Sequence, residues 1–89
     1  MKQTLYTIYT ERLHPAQVEK MVSYHVPGAT FLYGTGCYQS QLEDALVISI
    51  LSDDPTMPET VHKIAETIKV MNSQQSVLVT SSSVESEII

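Results

Sequence analysis

The sequence predicts an α+β fold: four main strands in one antiparallel sheet, two helices on one face, and an extra C-terminal strand. Three observations predict it. Short runs rich in β-branched and aromatic residues alternate with two stretches of helical spacing. The order along the chain is β-α-β-β-α-β. Proline and glycine stand at the points where one kind of pattern gives way to the other.

The first strand is Leu5 to Thr10, Leu-Tyr-Thr-Ile-Tyr-Thr. Pro15 suits the first turn of a helix, where its missing N–H costs nothing. Val18, Met21, Val22 and His25 follow at helical spacing, and Pro27-Gly28 stops the helix. Ala29 to Tyr33 reads as the second strand and Ala45 to Leu51 as the third. Between them, Gly34 to Asp44 reads as a connection too long for a tight hairpin, and long loops in small domains are disproportionately functional. Ser52-Asp53-Asp54-Pro55 is turn chemistry. A second helix begins near Pro58, with Glu59 favouring its N-terminal dipole, and Val61, Ile64, Ala65, Ile68 and Met71 form its apolar stripe. Ser76 to Ser81 is the fourth strand, and Val84 to Ile89 supplies the extra one. This order is the split βαβ, or ferredoxin-like βαββαβ, sandwich.

A chain of 89 residues fits one domain, 1–89. So short a chain buries only about 60–65% of its unfolded surface, and association would add to its core. The third strand has apolar residues on both faces, with Leu46, Ile48 and Ile50 against Ala45 and Val47. A one-sided sheet should alternate apolar and polar. Either another subunit or the folded-back tail strand is expected to cover the second face.

The net charge is −5, and Lys2, Arg12, Lys20, Lys63 and Lys69 are scattered. Phosphate neutralisation needs clustered cations, so nucleic acid is not an expected partner, whereas a cationic small molecule suits an acidic chain. No apolar run approaches the ~20 residues of a membrane span. The N-terminus lacks the pattern of a signal peptide, and the lone cysteine, Cys37, can form no intrachain disulfide, so a cytoplasmic location is expected.

The candidate functional residues lie around Gly34-Thr35-Gly36-Cys37-Tyr38 and Glu43. Gly34 and Gly36 can adopt positive φ or let a ligand approach the backbone. Tyr33 and Tyr38 offer aromatic faces, and Glu43 lies where the chain re-enters the sheet. Each has an ordinary alternative: a plain turn, a core tyrosine, a solvated carboxylate. Gly-x-Gly without a following helix is neither a dinucleotide fingerprint nor a P-loop. Cys37 reads as a small buried hydrophobe. His14, His25 and His62 lie on different elements, so no metal site is expected. Gln74-Gln75 reads as a polar turn on composition alone.

Taken in order, Leu32-Tyr33-Gly34-Thr35-Gly36-Cys37-Tyr38, then Glu43, a helix, and Gln74-Gln75-Ser76-Val77-Leu78-Val79 resemble the bacteriophage S-adenosylmethionine lyases, formerly called S-adenosylmethionine hydrolases. The resemblance runs from about residue 5 to residue 89. It implies a homotrimer of ferredoxin-like subunits, similar to the PII and CutA folds, with sites between neighbours. It also implies cleavage of S-adenosylmethionine to 5′-methylthioadenosine and homoserine lactone without a cofactor. In phage biology this removes the cofactor of host restriction–modification systems, and it would act in the host cytoplasm. By this resemblance Glu43 is the essential acid, with Asp44 in the alternative register. Tyr38 and Gln74 bind substrate, with Gln75 as the alternative register, and Tyr33, Thr35 and Gly36 contribute. The connection between Tyr38 and the acid is shorter than in the family. The competing expectation is a PII-like trimer that binds or sequesters a nucleotide without catalysis.

Overall fold

Alternation in the two central strands decides which side of the sheet the helices take. Tyr6, Ile8 and Thr10 on one strand, and Leu46, Ile48 and Ile50 on its neighbour, are all buried. The computed structural model describes all residues from Met1 to Ile89, in the order β1 (Lys2–Glu11), α1 (Pro15–His25), β2 (Thr30–Tyr38), β3 (Gln41–Ser52), α2 (Met57–Met71) and β4 (Leu78–Glu85). The sheet order is β2-β3-β1-β4 with every neighbouring pair antiparallel, as a ferredoxin-like fold requires.

The register sets Ile8 opposite Ile48 and Tyr6 opposite Ile50. These side chains meet Val18 and Val22 of α1 and Met57, Val61, Ile64 and Ile68 of α2 in one core. Each such side chain contributes about 1.5–3 kcal/mol when fully buried. Helix α1 starts with Pro15 behind a left-handed His14, and α2 carries Pro58 and Glu59 in its first turn. Ahead of α2, the Asp54 carboxylate accepts from the Thr56 N–H at 2.8 Å and from the Thr56 hydroxyl. These bonds favour its charged form and hold its pKa below the ordinary value.

The structure corrects the sequence reading at both ends of the sheet. β2 runs on through Gly34 to Tyr38 and β3 begins at Gln41, so the expected long connection is a two-residue hairpin. Gln39 and Ser40 supply its two positive φ angles, 50° and 63°, as a type I′ turn demands. The expected extra C-terminal strand does not form. Val84 and Glu85 complete β4 against Gln3 and Lys2, and the chain leaves the sheet after Ser86 pairs with Met1.

The tail therefore leaves the second face of the sheet open. Leu5, Thr7, Tyr9, Val47, Leu51, Leu32 and Leu78 alternate onto that face, several of them exposed. Hydrophobic residues are present on both sides of the sheet as expected, but within one chain only the helix side is covered.

A left-handed serine is costlier than a left-handed glycine. Ser40→Gly is therefore expected to raise stability by up to about 1 kcal/mol, read as a higher denaturation midpoint at unchanged m. A lower midpoint would mean that Ser40 contributes more than its backbone angle.

Candidate functional site

Residues directly opposite each other across a ladder share a face of the sheet. In the β2–β3 hairpin, Leu32, Gly34, Gly36 and Tyr38 pair with Val47, Ala45, Glu43 and Gln41, all on the open face. Neither glycine has positive φ, so the conformational freedom expected of them is not used. What they supply is space. A Cβ on Gly34 would meet nothing within 4 Å, and one on Gly36 would lie 3.6 Å from the Ala45 Cβ and 3.9 Å from the Glu43 Cγ. A strip of bare backbone thus runs beside Glu43, with Leu32 at one end and Tyr38 at the other.

Glu43 has a neighbour that sequence reasoning missed. β1 extends to Glu11, which pairs with Ala45 and so stands diagonally from Glu43 on the open face. A hydrogen bond between the two carboxyl groups, desolvation and the Glu11 charge all raise the Glu43 pKa above its ordinary value. Period-2 alternation from Tyr9 would have put Glu11 on this face, but only the β1–β3 register shows that it meets Glu43. No lysine or arginine answers the pair. Lys2 falls on the helix side of β1, Arg12 just past its end turns to Asp44 and Tyr33 on that side, and Lys20, Lys63 and Lys69 are on the helices.

The other candidates face the helix side. Tyr33 and Thr35 pair with Leu46 and Asp44 there. The Tyr33 hydroxyl donates to Glu19 of α1, and this bond, with desolvation, raises its pKa. The Arg12 guanidinium lies 5.0 Å from the Tyr33 ring centroid and 3.3 Å from the Asp44 carboxylate. Asp44, the alternative register for the acid, is thereby paired with a cation on the opposite side from Gly36. Cys37, expected to be buried, is exposed.

Gln74 lies between α2 and β4, on the helix side at the same end of β1. Its Oε1 accepts from the Thr10 hydroxyl and from Asn72 Nδ2 at 2.9 Å, and its Nε2 donates to the Ser76 carbonyl at 3.2 Å. Gln75 is exposed. One chain thus gathers Gly36, Tyr38 and Glu43 on the open face, and keeps Tyr33, Thr35 and Gln74 on the other. Two hollows, of about 440 and 410 Å³, open at the far end of the sheet around Thr4–Asp53–Ser83 and Gly28–Ile50, away from Glu43. No three His, Cys, Asp or Glu side chains converge as metal ligands, and no helix is long and apolar enough to cross a membrane.

No family model matches this chain, and no curated protein matches it in sequence. Solved structures do match in fold. A phage SAM lyase in complex with S-methyl-5′-thioadenosine superposes with a TM-score of 0.73 at 16% identity, over 90% of this chain and 80% of that one. A DUF3240 family protein from Shewanella baltica gives 0.71 at 4% identity, over 98% and 94% of the two chains. CPII, a nitrogen regulatory PII-like protein from Thiomonas intermedia K12 bound to ADP, AMP and bicarbonate, gives 0.64 at 17% identity, over 99% and 98%. At these identities the likeness is one of fold.

A carboxyl whose folded pKa is raised loses its stabilising contribution as pH rises through that value. Stability is therefore expected to fall across the window between the ordinary carboxylate value and the raised one, as Glu43 takes on its charge beside Glu11. Denaturation midpoints measured through this window should fall for the native chain and stay flatter for Glu11→Gln. Equal slopes would show that the two carboxyls do not interact.

Proposed function

We propose that this protein degrades S-adenosylmethionine as a carbon–sulfur lyase, giving 5′-methylthioadenosine and homoserine lactone. The observation that carries the reading is the open face at Glu43: two carboxylates beside a bare glycine strip, with no Lys or Arg side chain on that face. Such a surface favours a compact cation and disfavours a nucleotide polyphosphate. The residue order that resembles the phage lyases and the fold shared with one of them support the same choice over a nucleotide-sequestering, PII-like role.

The substrate carries its own leaving group. A carboxylate oxygen of its methionine tail attacks Cγ, the C–O bond forms, and the Cγ–S bond breaks with its electron pair passing to sulfur. The sulfonium becomes a neutral thioether and the carboxylate becomes the lactone. The reaction is unimolecular, so the protein's task is to fold the tail into a near-attack conformer. Glu43 serves this by holding the α-ammonium. Pairing it with the sulfonium would stabilise the ground state, whose charge is lost in the transition state, and would slow the reaction. The Tyr38 ring, at the end of the strip, offers a cation–π contact worth about 0.5–2 kcal/mol. The phage counter-defence role follows from the same resemblance.

A flat strip on one chain does not enclose a substrate, and Gln74 lies across the sheet from Glu43. The reading therefore includes a homotrimer, in which the open face of one copy is closed by its neighbour and Gln74 enters from another copy. The exposed Leu32, Leu51 and Leu78 support burial of that face.

Incubation of the purified protein with S-adenosylmethionine should yield methylthioadenosine and homoserine lactone, separable by chromatography. Homoserine without lactone would mean hydrolysis, and no turnover at high enzyme concentration would refute the reading. Glu43→Gln should fold and lose several powers of ten in rate, each about 1.4 kcal/mol of barrier. Co-refolding Glu43→Gln with Gln74→Ala chains should restore activity, because some interfaces then hold both intact residues. A mixture as inactive as its components would put both residues in one copy's site.

A further inference from the structure

The side-chain amides at the end of β1 form a chain whose direction is fixed at both ends. At one end the Glu11 backbone carbonyl, which can only accept, lies 3.3 Å from Asn72 Nδ2. That contact sets the Asn72 amide with its nitrogen inward. Nδ2 also lies 2.9 Å from the Gln74 side chain, so Gln74 must present its oxygen there. At the other end the Ser76 carbonyl, again only an acceptor, lies 3.2 Å from Gln74 and requires its nitrogen. Both ends dictate the same orientation. The Thr10 hydroxyl, buried beside them, donates to the same Gln74 oxygen.

Asn72 Oδ1 is buried without a hydrogen-bond partner in the chain. Turning the Asn72 amide over would set oxygen against both the Glu11 carbonyl and Gln74 Oε1. The orphaned oxygen is thus a consequence of holding Gln74 in one orientation.

We infer that Thr10 and Asn72 are positioning residues that lock Gln74 as a hydrogen-bond donor, so that it recognises an acceptor group on the ligand. The Gln74 oxygen is occupied twice from within the chain, and of its two N–H groups one is held by Ser76. The remaining N–H is what Gln74 has to offer. For the ligand this inference rests on the lyase reading, where the acceptor is the substrate carboxylate or a ring nitrogen of adenine. For the lock it rests on the geometry of this chain alone.

The test uses Thr10→Val, which keeps the shape and removes the hydroxyl, with Thr10→Ser as the conservative restoration. Thr10→Val is expected to raise KM for S-adenosylmethionine about three- to tenfold at nearly unchanged kcat. Thr10→Ser should behave as the native chain, and Gln74→Glu, which replaces the donor by an acceptor, should raise KM at least as far as Thr10→Val. Binding of methylthioadenosine, which has adenine and no carboxylate, assigns the acceptor: a parallel loss in Thr10→Val points to the ring, and no loss points to the carboxylate. An unchanged KM in Thr10→Val, a Thr10→Ser variant as impaired as Thr10→Val, or a Gln74→Glu variant with native KM would overturn the inference. Should the native chain show no turnover, the lyase reading fails, and NMR exchange of the Gln74 side-chain amide protons still decides the lock. Slow exchange in the native chain and Thr10→Ser, accelerated in Thr10→Val, supports it; equal rates in all three overturn it.

Discussion

The register of β1 on β3 is the constraint on which everything else depends. With Ile8 opposite Ile48, every second residue of both central strands enters the core, and the residues between them form the open face. A slip of one position would exchange the two sets and send Tyr9 and Val47 inward. The same register carries Glu11 past the core to Ala45, next to Glu43, and brings the Arg12 N–H to the Asp44 carbonyl at 2.9 Å. Core packing and the carboxyl pair are thus two results of one alignment.

That alignment also sorts charge. Lys20, Lys63 and Lys69 belong to the helices, Lys2 to a helix-side position of β1, and Arg12, just past β1, turns to Asp44 and Tyr33 on the same side, while Glu11 and Glu43 occupy the open face. A net charge of −5 describes the chain as a whole and hides this division. The helix side has partners for its acids, Arg12 for Asp44 and the Tyr33 hydroxyl for Glu19. The open face leaves its acids to be satisfied from outside.

The sequence made the element order and both helices readable, because proline, helical spacing and β-branched runs are local signals. The Val61–Ile64–Ala65–Ile68 stripe lies in α2 as its spacing predicts, although Ala65 stays outside the central apolar cluster. The hairpin was misread for an equally local reason. Gly34 and Gly36 look like turn residues, whereas the real turn is made by Gln39 and Ser40, which lack the Asn-Gly or Asp-Gly signature of a type I′ hairpin. Cys37 is exposed although a lone free cysteine is most often buried. The tail reads as a separate strand because Val84, Ile88 and Ile89 are β-branched, but Val84 belongs to β4, and Ile88 and Ile89 have no neighbouring strand to join. Glu43, Tyr38 and Gln74 were visible as residue types in order. Glu11, Thr10 and Asn72 were not, since their importance comes from contacts made across 32 to 64 positions of chain.

The glycine strip has one more consequence. Glycine weakens the interior of a strand, and neither Gly34 nor Gly36 is required by its backbone angles. Alanine at Gly34 would meet open space, and at Gly36 an ordinary contact. Folding stability and an open approach to Glu43 therefore make opposite demands on these two codons. A library of variants sorted for expression or heat resistance would enrich side chains on the strip and fill the approach to Glu43 unnoticed.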